Sequence, residues 1–219
     1  DWKQTLALCK NNEERITLWQ MLGIFYTDEI RSMREIYKLD PKSGKMDVLL
    51  TRFVNKNENE YPWLADRVDS KEKIKAAVPW LKEVADKGNT SNLFLWNTSV
   101  GDLYFLTENF APAEAYYKKA GSQLPNTALA ASQLKLLSLL NRVGSLKGIK
   151  SADEDRLLPE LQWLYRRSAD MVVAKFRYSE AQRWIKKTLA KKYQLQNDPV
   201  KAECFVSTSR FYAVNNNIE

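Results

Sequence analysis

Histidine is absent from the 219 residues of this chain, and only two cysteines occur, Cys9 and Cys204, near opposite ends. Without histidine, the common zinc sites and both Ser-His-Asp and Cys-His catalysis are excluded. Two distant cysteines allow one disulfide at most and form no framework, so two buried or semi-buried thiols are expected. Glycine and proline are scarce at seven each, which argues against an all-β sandwich with many tight turns. No apolar run approaches the roughly 18 residues that cross a bilayer as a helix. No stretch shows period-two alternation bounded by hairpin turns. The chain starts at Asp1 without a Met or a signal-like segment, so it reads as a mature product or as a segment cut from a longer protein.

Against these absences stand an ordinary apolar share of 44% and a charged share of 28%, enough for a sizeable core. The net charge of +7 is uneven: residues 1–109 hold 16 basic and 17 acidic side chains, residues 110–219 hold 18 and 10. Nine of the later bases fall between Arg166 and Lys192, against only Asp170 and Glu180.

Helical periodicity runs through the chain. Apolar residues at helical spacing mark segments from Asp1 to Lys10, Glu13 to Thr27 and Asp28 to Leu39. Further helices are expected over Lys45–Asn57 and Lys71–Lys87, the latter capped by Ser70 and kinked or broken at Pro79. These two are expected to pair. Helices over Ser91–Thr107, Ala111–Ser122 and Asn126–Val143 follow. One more, capped by Ser151 or Asp153, is expected from Glu154 onward or, delayed by Leu158-Pro159, from about Pro159, and runs through Ala174. Another spans Phe176 to Thr188 and beyond, and a last one is read from Val200 to Val214. Asn11 or Asn12 caps the second helix.

Within residues 94–127, Val100, Gly101 and Tyr104 are followed by Ala113, Tyr117 and Ala120, then Pro125. This spacing resembles the tetratricopeptide repeat, a helix–turn–helix unit of 34 residues. Trp19, Leu22, Gly23 and Tyr26 match the first half of that pattern, so a degenerate unit is read near 16–41. There Ser32 or Met33 stands where the pattern wants a small residue, and the turn is expected to be shorter. A second degenerate unit near 162–195 registers Ala169, Ala181 and Thr188 with Gly101, Ala113 and Ala120. The resemblance implies an all-α fold of stacked antiparallel helix pairs, a right-handed α–α solenoid, forming one domain over 1–219. Small residues at the matched positions let paired helices approach to about 8–10 Å.

The same resemblance implies a function: a non-catalytic scaffold for a protein or peptide, with no cofactor or metal. First helices of such arrays line a concave face, here Gln20, Ile24, Thr98, Asp102, Arg166 and Asp170. Thr98 and Asp102 stand at two positions where the family's carboxylate clamp uses Lys and Asn, so that specialisation is not expected. Arg166 and Arg167 can meet an acidic ligand. A basic stripe of Arg183, Lys186, Lys187 and Lys191 opposes Ala181, Ile185 and Leu189. It can attract phosphates, an anionic membrane or an acidic protein, but is first of all a solvated face. No nucleic-acid motif accompanies it, and nucleic acid is not an expected partner.

An alternative assignment is a helical accessory module of a carbohydrate- or cell-wall-active protein, gripping glycan with exposed aromatics. Most of the seven Trp and ten Tyr fall at apolar helical positions and read as packing. Trp63, in the Tyr61-Pro62-Trp63 loop, is the one candidate for exposure. Paired carboxylates such as Glu13-Glu14 and Asp153-Glu154-Asp155 sit at helix starts, where acidic residues belong.

Overall fold

In the computed structural model, residues 2–60, 68–168 and 178–206 are described. They form eleven helices, with no strand among them: α1 (Trp2–Ala7), α2 (Asn12–Phe25), α3 (Glu29–Leu39), α4 (Gly44–Glu60), α5 (Val68–Lys87), α6 (Leu93–Leu106), α7 (Phe110–Gly121), α8 (Ala128–Ser145), α9 (Ser151–Ser168), α10 (Tyr178–Leu195) and α11 (Pro199–Val206). The fold is all-α. The chain clusters into two compact units, Asp1–Leu134 and Lys135–Glu219, divided within α8.

Helix starts follow local chemistry. Asn11, Asp28, Asn92, Thr127 and Asp198 each accept a hydrogen bond from the backbone N–H three residues on. Each satisfies a donor that the helix itself cannot. At the two prolines the helices are not interrupted, which removes a break at Pro79 and a delayed start at Pro159. Helix α5 runs through Pro79 and begins at Val68, ahead of Ser70, while α9 starts at Ser151, about two turns before Pro159. Both proline residues are exposed, so the carbonyl each leaves unpaired faces water instead of the core.

One connection recurs three times. The turns Tyr26-Thr27-Asp28, Thr107-Glu108-Asn109 and Gln196-Asn197-Asp198 each span three residues, and the middle one is left-handed at φ 56°, 62° and 58°. In the last two, bonds from Asn109 N to Tyr104 O and from Glu108 N to Phe105 O repeat as Asp198 N to Tyr193 O and Asn197 N to Gln194 O. This is a Schellman closure whose final residue is also positioned to begin the next helix. Four residues later stands a small buried side chain: Ser32, Ala113 and Ala202.

These small residues set the helix crossings. A Cβ built on Gly101 would lie 2.7 Å from Tyr117 Cε1 and 3.3 Å from the Ala113 carbonyl oxygen. One built on Gly23 would lie 2.8 Å from Leu49 Cδ2 and 3.1 Å from Ser32 Cβ. Ser32, of the two residues considered, therefore takes the small position. The α2–α3 turn is not shorter than the α6–α7 turn. The offset lies in the first helix, because Gly23 is two residues from the end of α2 and Gly101 five from the end of α6.

Helix α6 (LFLWNTSVGDLYFL) has a single charged residue, Asp102, and is buried almost all round. An all-round apolar helix belongs inside. It packs against α7, α5 and α4. The expected α4–α5 pair is not formed as such: α4 packs mainly on α3 and α6, and α5 mainly on α6. The reason is the face carrying Met46, Leu49, Leu50 and Phe53, which is buried and leaves little apolar surface for α5. In the second unit, Leu139, Val143, Leu157, Leu164, Ile185 and Leu189 belong to one core. The residues joining α9 to α10, including Ala169 of the expected 162–195 unit, lie outside the described residues, as does the helix expected beyond Val206.

Two substitutions test the crossing. Gly101→Ala should destabilise the protein by about 1–2 kcal/mol, overpacking outweighing the gain in helix propensity. Gly121→Ala, whose Cβ meets nothing closer than Leu134 at 3.8 Å, should stabilise it by up to ~1 kcal/mol. Urea midpoints of the two variants should move in opposite directions. A left-handed β-branched residue is also costly, so Thr27→Gly should stabilise the protein by about 0.5–1 kcal/mol and raise the midpoint.

Candidate functional site

The splaying of α4 and α5 leaves an open cleft of about 1020 Å³ in the first unit. Helix α3 supplies one wall, with Arg31, Arg34 and Lys38 at i, i+3 and i+7. Helix α5 supplies another, with Lys73, Ala76, Ala77 and Trp80 on one face. Phe53, Lys56 and Asn57 of α4 complete the lining. Ala76 and Ala77 are why there is room: neither side chain extends beyond Cβ.

The aromatic part of the wall is held from behind. Trp80 packs edge-on against Tyr37 at 6.1 Å and against Trp96 at 6.3 Å, between ring centroids. The Tyr37 hydroxyl donates to Asn89 Oδ1 at 3.0 Å. Trp96 is fully buried, and its indole N–H donates to Asp47 Oδ1 at 3.0 Å. Burial pushes the Asp47 carboxyl above its usual range, and the bonds from Trp96 and Ser91 only partly offset it.

Charge is arranged unequally around the opening. Glu29 is 4% exposed and is paired by Arg52 Nε at 3.1 Å and by Lys56. Arg52 also donates to the Ile24 carbonyl at 3.1 Å, tying α4 to the end of α2. Glu35 binds Lys38 at 2.7 Å, and Asp28 both caps α3 and meets Arg31 at 4.0 Å. The Arg34 guanidinium lies 5.5 Å from the Trp80 ring centroid as a cation–π contact.

Helix α5 is fastened to α7 by one carboxylate. Asp86 accepts from Tyr116 at 2.8 Å, Lys119 at 2.6 Å and Lys82 at 2.7 Å. Burial opposes ionisation of Asp86, but these donors together outweigh it and hold the carboxyl well below the carboxylate range. Burial and the bond to Asp86 push the Tyr116 hydroxyl well above the usual phenol value.

The residues expected to share a concave face belong to different units, Gln20, Ile24, Thr98 and Asp102 to the first and Arg166 to the second. Gln20 and Ile24 are half-buried on α2. Thr98 and Asp102 are 4% and 3% exposed, because α6 is covered on nearly every side, so they form interior surface. Asp102 instead lies near Tyr117, whose ionisation is pushed up first by burial and then by that charge. Arg166 is exposed at the end of α9 in the second unit, and Asp170 lies outside the described residues. The helices α2 and α6 contribute no residue to the cleft. The stripe on α10 has Arg183, Lys187 and Lys191 exposed and Lys186 half-buried, its ammonium 5.4 Å from the Tyr165 ring.

The six described tryptophans, Trp2, Trp19, Trp80, Trp96, Trp163 and Trp184, are buried or half-buried, while Trp63 lies outside the described residues. Sequence reasoning did not find the cleft. Its signal was present in the i, i+3, i+7 cations of α3 and in the small pair Ala76-Ala77 before Trp80. What periodicity alone could not supply is the separation of α4 from α5. Compared with protein-family models, with curated proteins and with solved structures, the chain matches none.

The Asp86 carboxyl has a depressed folded pKa. Its contribution is therefore complete well above the unfolded value of 3.8 and is lost as the pH falls below it. Asp86→Asn should cost about 1 kcal/mol at neutral pH, discounted for partial exposure, and the difference from wild type should shrink below that value. Urea titrations at pH 7 and pH 3 measure it.

Proposed function

We propose that the chain is a non-catalytic scaffold of stacked helix pairs, of the tetratricopeptide kind, that binds a protein or peptide. The observation that supports this reading is the cleft of the first unit, open to solvent, with small and aromatic side chains between charged walls. Binding sites for peptides commonly combine an apolar anchor surface with a few fixed polar groups, and rigid walls lower the ordering cost of binding. Trp80 is held by two edge contacts and a cation–π contact with Arg34, so the aromatic anchor is already ordered before any ligand arrives. The repeated three-residue turn and the small residues four positions beyond it support the stacked-pair architecture.

Selection of a displayed random-peptide library on the full chain tests the reading. Enrichment of sequences with a common pattern, reproduced by calorimetry with the synthetic peptides, is the expected result. A library without enrichment, alongside binding on a glycan panel, would replace it with the carbohydrate reading.

A further inference from the structure

Resting on that peptide-binding reading, we propose that the α3–α5 cleft takes an acidic segment of a partner protein. An apolar side chain would seat against Phe53, Ala77 and Trp80 while Asp or Glu carboxylates meet Arg34 and Lys73. This is a different surface from the face that the repeat resemblance assigns to α2 and α6.

Five cations and three carboxylates line the cleft: Arg31, Arg34, Lys38, Lys56 and Lys73 against Asp28, Glu29 and Glu35. Each carboxylate is engaged. Glu29 is buried between Arg52 and Lys56, Glu35 holds Lys38, and Asp28 caps α3 beside Arg31. Among the described residues, Arg34 and Lys73 have no carboxylate within ion-pair distance. Glu83, which lies near Arg34, is itself bound to Lys87 at 2.7 Å. A basic segment would find no uncommitted carboxylate in the cleft, whereas an acidic one would find two cations.

Geometry sharpens the match. The Arg34 guanidinium lies 5.5 Å from the Trp80 ring centroid on an exposed side chain, so a carboxylate can reach it from solvent. Lys73 stands seven residues before Trp80 on the same helix, about 10 Å along its axis. An extended chain covers that distance in about three residues. The segment that fits has two acidic residues about three apart with a bulky apolar residue between them. The cleft volume of about 1020 Å³ holds such a short segment, not a folded domain.

Fluorescence anisotropy on the full chain decides the matter. The probe is a labelled synthetic peptide with Glu residues three apart around a Leu, and its comparison is the same peptide with Lys for Glu. The acidic peptide should bind with an affinity that falls as salt rises, and the Lys peptide should not bind. Arg34→Glu/Lys73→Glu should weaken the acidic peptide by about tenfold or more. Lys73→Glu alone, at an exposed position with no packing role, should weaken it in the same direction. Arg183→Glu/Lys187→Glu on the α10 stripe should leave it unchanged, and circular dichroism should be the same for all variants. Equal binding of the two peptides, or indifference to both cleft variants, overturns the acidic assignment while leaving peptide binding intact. Loss on the stripe variant instead moves the site to α10. If neither peptide binds although library-selected peptides do, the acidic inference alone is overturned; if no peptide of any kind binds, the scaffold reading falls with it.

Discussion

Trp96 has no surface in contact with solvent, so its indole N–H must find an acceptor inside the protein, and Asp47 provides it. An unpaired buried donor of this kind costs about 1–3 kcal/mol, more than a typical hydrogen bond contributes. The pairing therefore dictates where α4 lies against α6. Trp80 rests on the edge of Trp96 and brings α5 with it, and Tyr37 rests on Trp80 and brings α3. Four helices thus take their places from one buried indole. The cleft is what remains between α3 and α5 once α4 has been drawn toward α6.

The two carboxylates that frame this arrangement respond to pH in opposite senses. Asp47 is half removed from water and its carboxyl is raised by burial, so ionising it works against the folded state. Asp86 is surrounded by donors that outweigh its burial, so ionising it works for the folded state. The difference lies in their partners. Asp47 receives neutral donors, an indole and a hydroxyl, whereas Asp86 receives two ammonium groups and a phenol. The wall that presents Trp80 is therefore clamped to α7 through charged donors and to α4, through Trp96, by a neutral donor.

Much of the fold was legible because small residues and caps are local signals. Gly101 with Ala113, and the Asn or Asp that closes each three-residue turn, can be read from spacing. The ends of α2, α3, α6 and α7 fall within two residues of expectation for that reason. Pro79 and Pro159 left the course of α5 and the start of α9 open, because a proline breaks a helix only where its lost bond cannot be replaced, and exposure of a helix face is not visible in a single segment. Thr98 and Asp102 misled for the converse reason. Polar side chains normally mark a solvated face, yet α6 is covered on that side as well, a matter of how many neighbours one helix acquires. The cleft was hidden for the same cause, since it depends on α5 choosing α6 over α4.

Hydrogen exchange of the Trp96 indole N–H, followed by NMR in the intact chain, tests the central claim most directly. If Asp47 and the packed helices hold that proton, it should persist until the first unit opens as a whole and be among the slowest indole protons to exchange. Exchange as fast as that of a solvent-exposed indole would contradict the account, because α3, α4 and α5 would then have no common buried anchor.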